Sequence, residues 1–305
     1  MRGKHFLPVV SLGFLGLSSL VPTAAFAQSS STANKLIDAG KVTAASTTMT
    51  YEMNATMVMN VGGKTTKGTI TASGQTDRKA QAASIEMDMG SFMKSLLSGA
   101  SSNASLPPAF NDPANMKMKV ISKGSKVWMS FPLLSLMGGG TASKPWVAID
   151  AKELGVDARQ LAASQGVDPT AGLDVLQGLS NNATVIGTDQ VKGVKTTHYK
   201  GTTDFASLAK NLPPKQAAEA KKLFGTKSSM PVEVWLDDQG RARRMDISFA
   251  TNLSGITMTM NTQYFFMKFG EPVTITAPPA TQFGENPLLL QQIKQQAAAS
   301  QKLPA

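Results

Sequence analysis

The chain has no cysteine. That one absence excludes disulfides, thiolate nucleophiles, cysteine metal sites and acylation at a lipobox cysteine. Histidine is nearly missing too: His5 lies in the N-terminal leader, which leaves His198 alone in Lys195-Thr-Thr-His-Tyr-Lys-Gly201. A catalytic triad or a histidine metal site therefore lacks its second member. No G-x-S-x-G elbow, Walker loop, dinucleotide fingerprint or calcium loop occurs. Acidic residues fall in turns (Asp237, Asp238) or singly along strands (Glu52, Glu86, Asp88, Asp246). Glu86 and Asp88 share a strand face, the ordinary wet face of a sheet. These absences describe a non-catalytic protein that calls for no cofactor and no metal.

Long apolar runs are scarce as well. The one run, Phe6 to Leu20, is about 15 residues, short of the ~20 that span a bilayer. Arg2 and Lys4 precede it, Pro22 breaks it, and Ala25-Phe26-Ala27 precedes Gln28. This is a three-part secretory signal, residues 1–27, cleaved after Ala27. The expected location is extracytoplasmic, secreted or in the cell envelope, without an anchor through cysteine. What remains is long enough to bury its own core.

The net charge is +10, but Lys and Arg are scattered. The densest clusters are Arg241, Arg243 and Arg244, and Lys221-Lys222. Without basic runs interleaved with aromatics, nucleic acid is not the expected partner. Contact with an anionic membrane or wall surface fits better, beside plain solvation.

What the chain has in quantity is methionine, 17 residues. Many fall in i, i+2 pairs: Met57/Met59, Met87/Met89, Met116/Met118 and Met258/Met260. On a strand, each pair points to one face. Flexible thioethers suit a surface that adapts to variable apolar partners. The same pattern also describes a sheet core that is simply rich in methionine.

Residues 28–46 are rich in Ser, Thr and Ala, with one helical patch near Leu36-Ile37, and read as a flexible leader. From Thr47, alternation through Met49, Tyr51, Met53, Ala55, Met57 and Met59, then Gly62-Gly63 and a Thr-rich return, predicts a hairpin. Strands follow at Ser84–Met89, Met116–Ser122 and Lys126–Phe131. Phe92, Met93, Leu96 and Leu97 have helical spacing. A Gly-rich apolar interruption runs from Pro132 to Pro145, and helical patterns lie near 158–163 and 170–179, the second with a Leu173/Leu176/Leu179 stripe. The C-terminal half reads as strands at 183–190, 195–202, 232–237, 241–250 and 256–269. A helix over about 205–224 interrupts them, and Gly240 closes a tight turn. The fold class is α+β: one large antiparallel sheet with a few helices segregated to one face. A Gln/Ala-rich tail, 283–305, ends the chain.

In the C-terminal half, Val194-Lys-Thr-Thr-His-Tyr-Lys-Gly-Thr-Thr-Asp-Phe205 is followed by a Leu-Pro-containing helix. Next come Pro231-Val-Glu-Val-Trp-Leu-Asp-Asp-Gln-Gly-Arg-Ala-Arg-Arg-Met245 and Phe269-Gly-Glu-Pro-Val-Thr-Ile-Thr-Ala-Pro-Pro279. This succession resembles the LppX/LprG-type lipid-carrier proteins of actinobacteria, clearly over 182–280 and more loosely over 47–150. That family is similar to the LolA/LolB carriers. The resemblance implies a curved antiparallel half-barrel over helices, an apolar cavity, and an acylated lipid or glycolipid as partner. The chain departs from the family's pattern in having Gln28, not cysteine, after the signal.

The resulting expectation is a monomeric LolA-like domain over 47–282, which holds a lipid in an apolar cavity. Its wall would include Met57, Met59, Met87, Met89, Met118, Val120, Trp128, Leu176, Val234 and Ile247. The alternatives are an envelope sensor of the same fold that binds a membrane-protein partner, and a structural protein of the cell wall.

Overall fold

The computed structural model describes residues 32–100, 108, 111–133, 144–153, 169–179, 183–204, 229–253, 256–284, 291 and 295. The expected signal, the 205–224 and 158–163 helices, most of the 132–145 interruption and nearly all of the tail lie outside them. The fold begins with helix α1 (Thr32–Ala44). Strands β1 (Thr48–Val61), β2 (Lys64–Asp77) and β3 (Ala82–Asp88) follow, then helix α2 (Gly90–Ala100). Next come β4 (Lys117–Lys123), β5 (Lys126–Ser130) and β6 (Trp146–Asp150). After a 3-10 helix at Pro169–Gly178, the chain closes with β7 (Thr184–Val191), β8 (Val194–Asp204), β9 (Ser229–Leu236), β10 (Ala242–Leu253) and β11 (Ile256–Met267).

All eleven strands form one open sheet in the order β6-β5-β4-β3-β2-β1-β11-β10-β9-β8-β7. Every pairing is antiparallel. The α+β expectation therefore holds. The two strand-rich halves are joined where β1 lies beside β11, from Thr50 opposite Met267 to Val61 opposite Ile256. Turn chemistry sets the hairpins. Gly62 and Gly63 both have positive φ, as a tight two-residue turn between twisted strands requires.

Two elements differ from the sequence reading. The segment read as flexible leader contains α1, whose Ala33, Leu36 and Ala39 are buried in the main core. Those residues sit three apart, so they form one apolar stripe. Its Thr43 hydroxyl donates to Ala39 O at 2.7 Å and accepts from Ala242 N at 2.8 Å, which ties the helix to β10. Strand β6 was not expected; it pairs with β5 from Ser130 opposite Trp146 to Lys126 opposite Asp150. Leu173, Leu176 and Leu179 of the expected stripe are buried; the first two lie on a 3-10 helix whose three-residue turn suits that spacing, and Leu179 follows directly after it.

After β11 the chain becomes a strap across the far side of the sheet. Gly270 N donates to Thr48 O at 3.0 Å, Gln75 Nε2 of β2 to Thr274 O at 2.6 Å, and Gly284 N to Trp146 O of β6 at 2.9 Å. The strap thus runs from β1 to the β6 edge.

Candidate functional site

Strand registers decide which side chains share a face, because a strand's side chains alternate. One row crosses seven strands: Val234, Met245, Tyr264, Met53, Ala72, Met87 and Met118. A second holds Val232, Ile247, Thr262, Ala55 and Ile70. Toward the β1–β2 turn follow Phe249, Met260, Met57 and Gly68, then Thr251, Met258, Met59 and Thr66. On the other side, Phe266, Tyr51, Gly74, Ile85, Val120, Met129 and Val147 form a further row.

These rows make one inner face. On β1, β3–β6, β9 and β11, on β2 from Thr66 and on β10 from Met245, the face carries no Asp, Glu, Lys or Arg. Three methionine pairs lie directly opposite each other: Met57–Met260, Met59–Met258 and Met87–Met118. Met57 and Met87 are buried, while Met59, Met118, Met258 and Met260 are partly buried against the same core. The thioether-rich end, beside the β1–β2 turn, is therefore the less covered one.

Helices seat on this face. α2 lies on β2 at Gly68, where a Cβ would come within 2.6 Å of Phe92 Cα. Thr69 N donates to Ser91 Oγ at 3.3 Å in the same contact. α1 meets the 3-10 helix at Gly40, where an added Cβ would just reach van der Waals contact with Leu173 and Leu176. The Thr203 hydroxyl donates to Val175 O at 2.8 Å and fixes that 3-10 helix to β8.

Of the wall residues expected from sequence, Met57, Met59, Met87, Met118, Val120, Val234 and Ile247 fall on inner-face rows. Met89, one residue beyond β3, packs against the same core, and Leu176 is fully buried in it. Trp128 does not belong. It pairs with Ile121 and Ala148, between the inward Val127 and Met129, so the pleat turns its indole to the outer face. It is buried there, on the side the strap crosses. The Met116/Met118 pair also divides: Met116 ends a 3-10 helix and packs with Leu133, Met93 and Phe131 in a separate cluster. Met53, Met245, Thr262 and Tyr264 were missing from the expected wall. Continuing the Met258/Met260 alternation by two and four residues would have found the last two.

The outer face carries the charge. Lys117 and Lys119 hold Glu86 at 2.8 and 2.9 Å, and their hydrogen bonds keep its carboxyl below the usual range. His198 stacks on Trp235 at 4.1 Å and pairs with Glu233 at 2.9 Å. Arg244 lies over Trp235 at 4.3 Å and forks onto Asp246. Lys192, in the β7–β8 turn, reaches Glu52 of β1 at 2.9 Å and covers Phe265 of β11. A flat sheet would set β8 about 19 Å from β1; the hairpin tip must bend over the outer face. His198 thus has defined partners, Trp235 and Glu233.

The LppX_LprAFG lipoprotein family model matches residues 70–275. Over 116 residues the chain is 29% identical to the Mycobacterium tuberculosis protein named "Putative phthiocerol dimycocerosate transporter LppX". That stretch is 38% of this chain and 42% of the relative, so the match spans less than half of the relative's length. Among solved structures, M. tuberculosis lipoprotein LppX aligns over 80% of this chain and 97% of its own, at 19% identity and a TM-score of 0.41. LprF from Mycobacterium bovis aligns over 81% and 97%, at 16% identity and a TM-score of 0.40.

Proposed function

Since the chain belongs to the LppX_LprAFG lipoprotein family, we propose that it is an exported carrier that holds a lipid or acylated glycolipid against its inner face. The observation that carries this reading is the uncharged inner face with its directly opposed methionines. Thioethers on flexible stems re-pack around chains of different shape at little cost, which Leu or Val cannot do as readily. Each methylene taken from water is worth about 0.8 kcal/mol. Roughly fifteen methylenes supply about 12 kcal/mol, against an association cost on the order of 4–15 kcal/mol. Long acyl chains therefore bind and short ones do not.

The carrier unit in this reading is residues 47–282 together with α1, acting as a monomer. The wall comprises the inner-face residues above, without Trp128. Export follows from the leader at 1–27. The 305 residues offer no cysteine for acylation, so surface contact rests on the net positive charge that remains once Arg2 and Lys4 leave with the signal, and it is lost as salt rises. Displacement of a fluorescent fatty acid tests the reading. A saturable site whose affinity rises with competitor chain length is expected; uptake that never saturates contradicts it.

A further inference from the structure

On the inner face one polar atom stands apart. Thr262 is 3% exposed, and its hydroxyl has no hydrogen-bond partner among the described residues. Three other buried threonines are satisfied: Thr43 donates to Ala39 O, Thr196 to Asp189 O and Thr203 to Val175 O. Thr262 has no such recourse, because its cross-strand neighbours are Ala55 and Ile247. Met260 and Tyr264 flank it along β11. Burying a hydroxyl unpaired shifts the folding equilibrium by on the order of tenfold. Valine has nearly the same shape and would carry no such penalty, so in the free protein the hydroxyl is a liability.

The other orphaned side-chain atom among the described residues, Trp235 Nε1, lies on the outer face, where His198 and Arg244 cover the indole. It cannot serve the inner face. Thr262 can. Its neighbour Ala55 is the smallest side chain on the inner row of β1, so the wall is low beside the hydroxyl. The surrounding methionines can move aside for a chain that passes over it.

We propose that the Thr262 hydroxyl is the polar contact by which this face recognises an oxygen-bearing group, an ester or a hydroxyl, part-way along an acyl ligand. The inference rests on the carrier reading and adds to it a specificity residue: among acyl ligands, this face prefers those with an oxygen part-way along the chain. A hydroxyl can donate to an ester carbonyl or exchange bonds with a ligand hydroxyl. Being unpaired beforehand, it gives up no protein partner to do so. Discrimination arises because a ligand without oxygen leaves the hydroxyl still unpaired.

The test uses the full mature chain as wild type, T262V and T262S. Each is loaded with diphenylhexatriene, a hydrocarbon probe without oxygen, and displaced by methyl palmitate or by octadecane. T262V should weaken methyl palmitate about three- to tenfold, leave octadecane unchanged, and shift unfolding of the ligand-free protein to higher urea. T262S should keep the wild-type preference. Equal displacement by both competitors in wild type and T262V would overturn the role of Thr262 and leave the carrier reading standing. A wild-type protein that takes up none of the three compounds would remove the carrier reading, and this inference with it.

Discussion

Asp237 is the most heavily engaged ionised residue among those described. Its side chain is 1% exposed and accepts from Gln239 N, Arg241 N, Arg241 Nε and Arg243 Nε at 2.8–3.0 Å. Burial alone would push its carboxyl up. The Arg241 backbone N–H and the two guanidinium groups outweigh burial and hold it below the usual range. Removing the carboxylate leaves two arginines and two backbone donors without their acceptor, so D237A should cost about 2–4 kcal/mol in urea unfolding. The pH dependence has a definite sign. A carboxyl whose folded pKa is depressed adds stability above its unfolded pKa, about 4, and loses it as pH falls through the folded value. The gap between wild type and D237N should be constant above about pH 5 and close in acid. A gap that widens in acid would contradict this electrostatic account.

At the same scale, the sequence was legible where alternation was clean and misleading where it was not. Met87 and Met118 could be assigned to one face because Glu86, Asp88, Lys117 and Lys119 flank them, and Met57 and Met59 because they continue the Met49-to-Ala55 alternation despite the apolar Val58 between them. In β5, Val127, Trp128 and Met129 are all buried, so no alternation reveals that Trp128 turns outward. The strap that crosses the outer face removes the polar signal there, and only the register with β4 and β6 resolves it.

Among the elements, α1 is where burial and composition disagree. Its sequence, Thr32-Ala-Asn-Lys-Leu-Ile-Asp-Ala-Gly-Lys-Val-Thr-Ala44, is small and polar enough to pass for a linker. Its stripe is made of two alanines and one leucine, a weak apolar signal that tertiary packing converts into core. L36A should therefore cost about 2–4 kcal/mol, whereas in a flexible leader it would be silent in chemical denaturation. α2 supplies a second check. A methyl group at position 68 would meet Phe92 Cα at 2.6 Å, and backbone cannot swing aside as a side chain can. G68A should destabilise by about 1–3 kcal/mol through displacement of α2; unchanged stability would show that α2 does not rest on β2. Strand β6 carries little sequence signal because its five residues, Trp146-Val-Ala-Ile-Asp150, follow directly on Lys144-Pro145 and a Gly-rich stretch. A short buried strand next to breakers has too little periodicity to stand out.

For the whole molecule, fold class was readable from the number of alternating segments and the Gly turns between them. The long-range join was not, since nothing local tells β1 that its second partner is β11, some two hundred residues away. That pairing brings the Met57/Met59 and Met258/Met260 pairs face to face. It turns two separate sequence observations into one thioether-rich end of the inner face. The claim that this face holds lipid is tested most directly by native mass spectrometry of the mature protein purified from its own host, with solvent extraction of the same sample. A discrete added mass that extracts as an oxygen-bearing, long-chain lipid is expected. A protein that is recovered bare, and stays bare when challenged with host lipid extract, would contradict it.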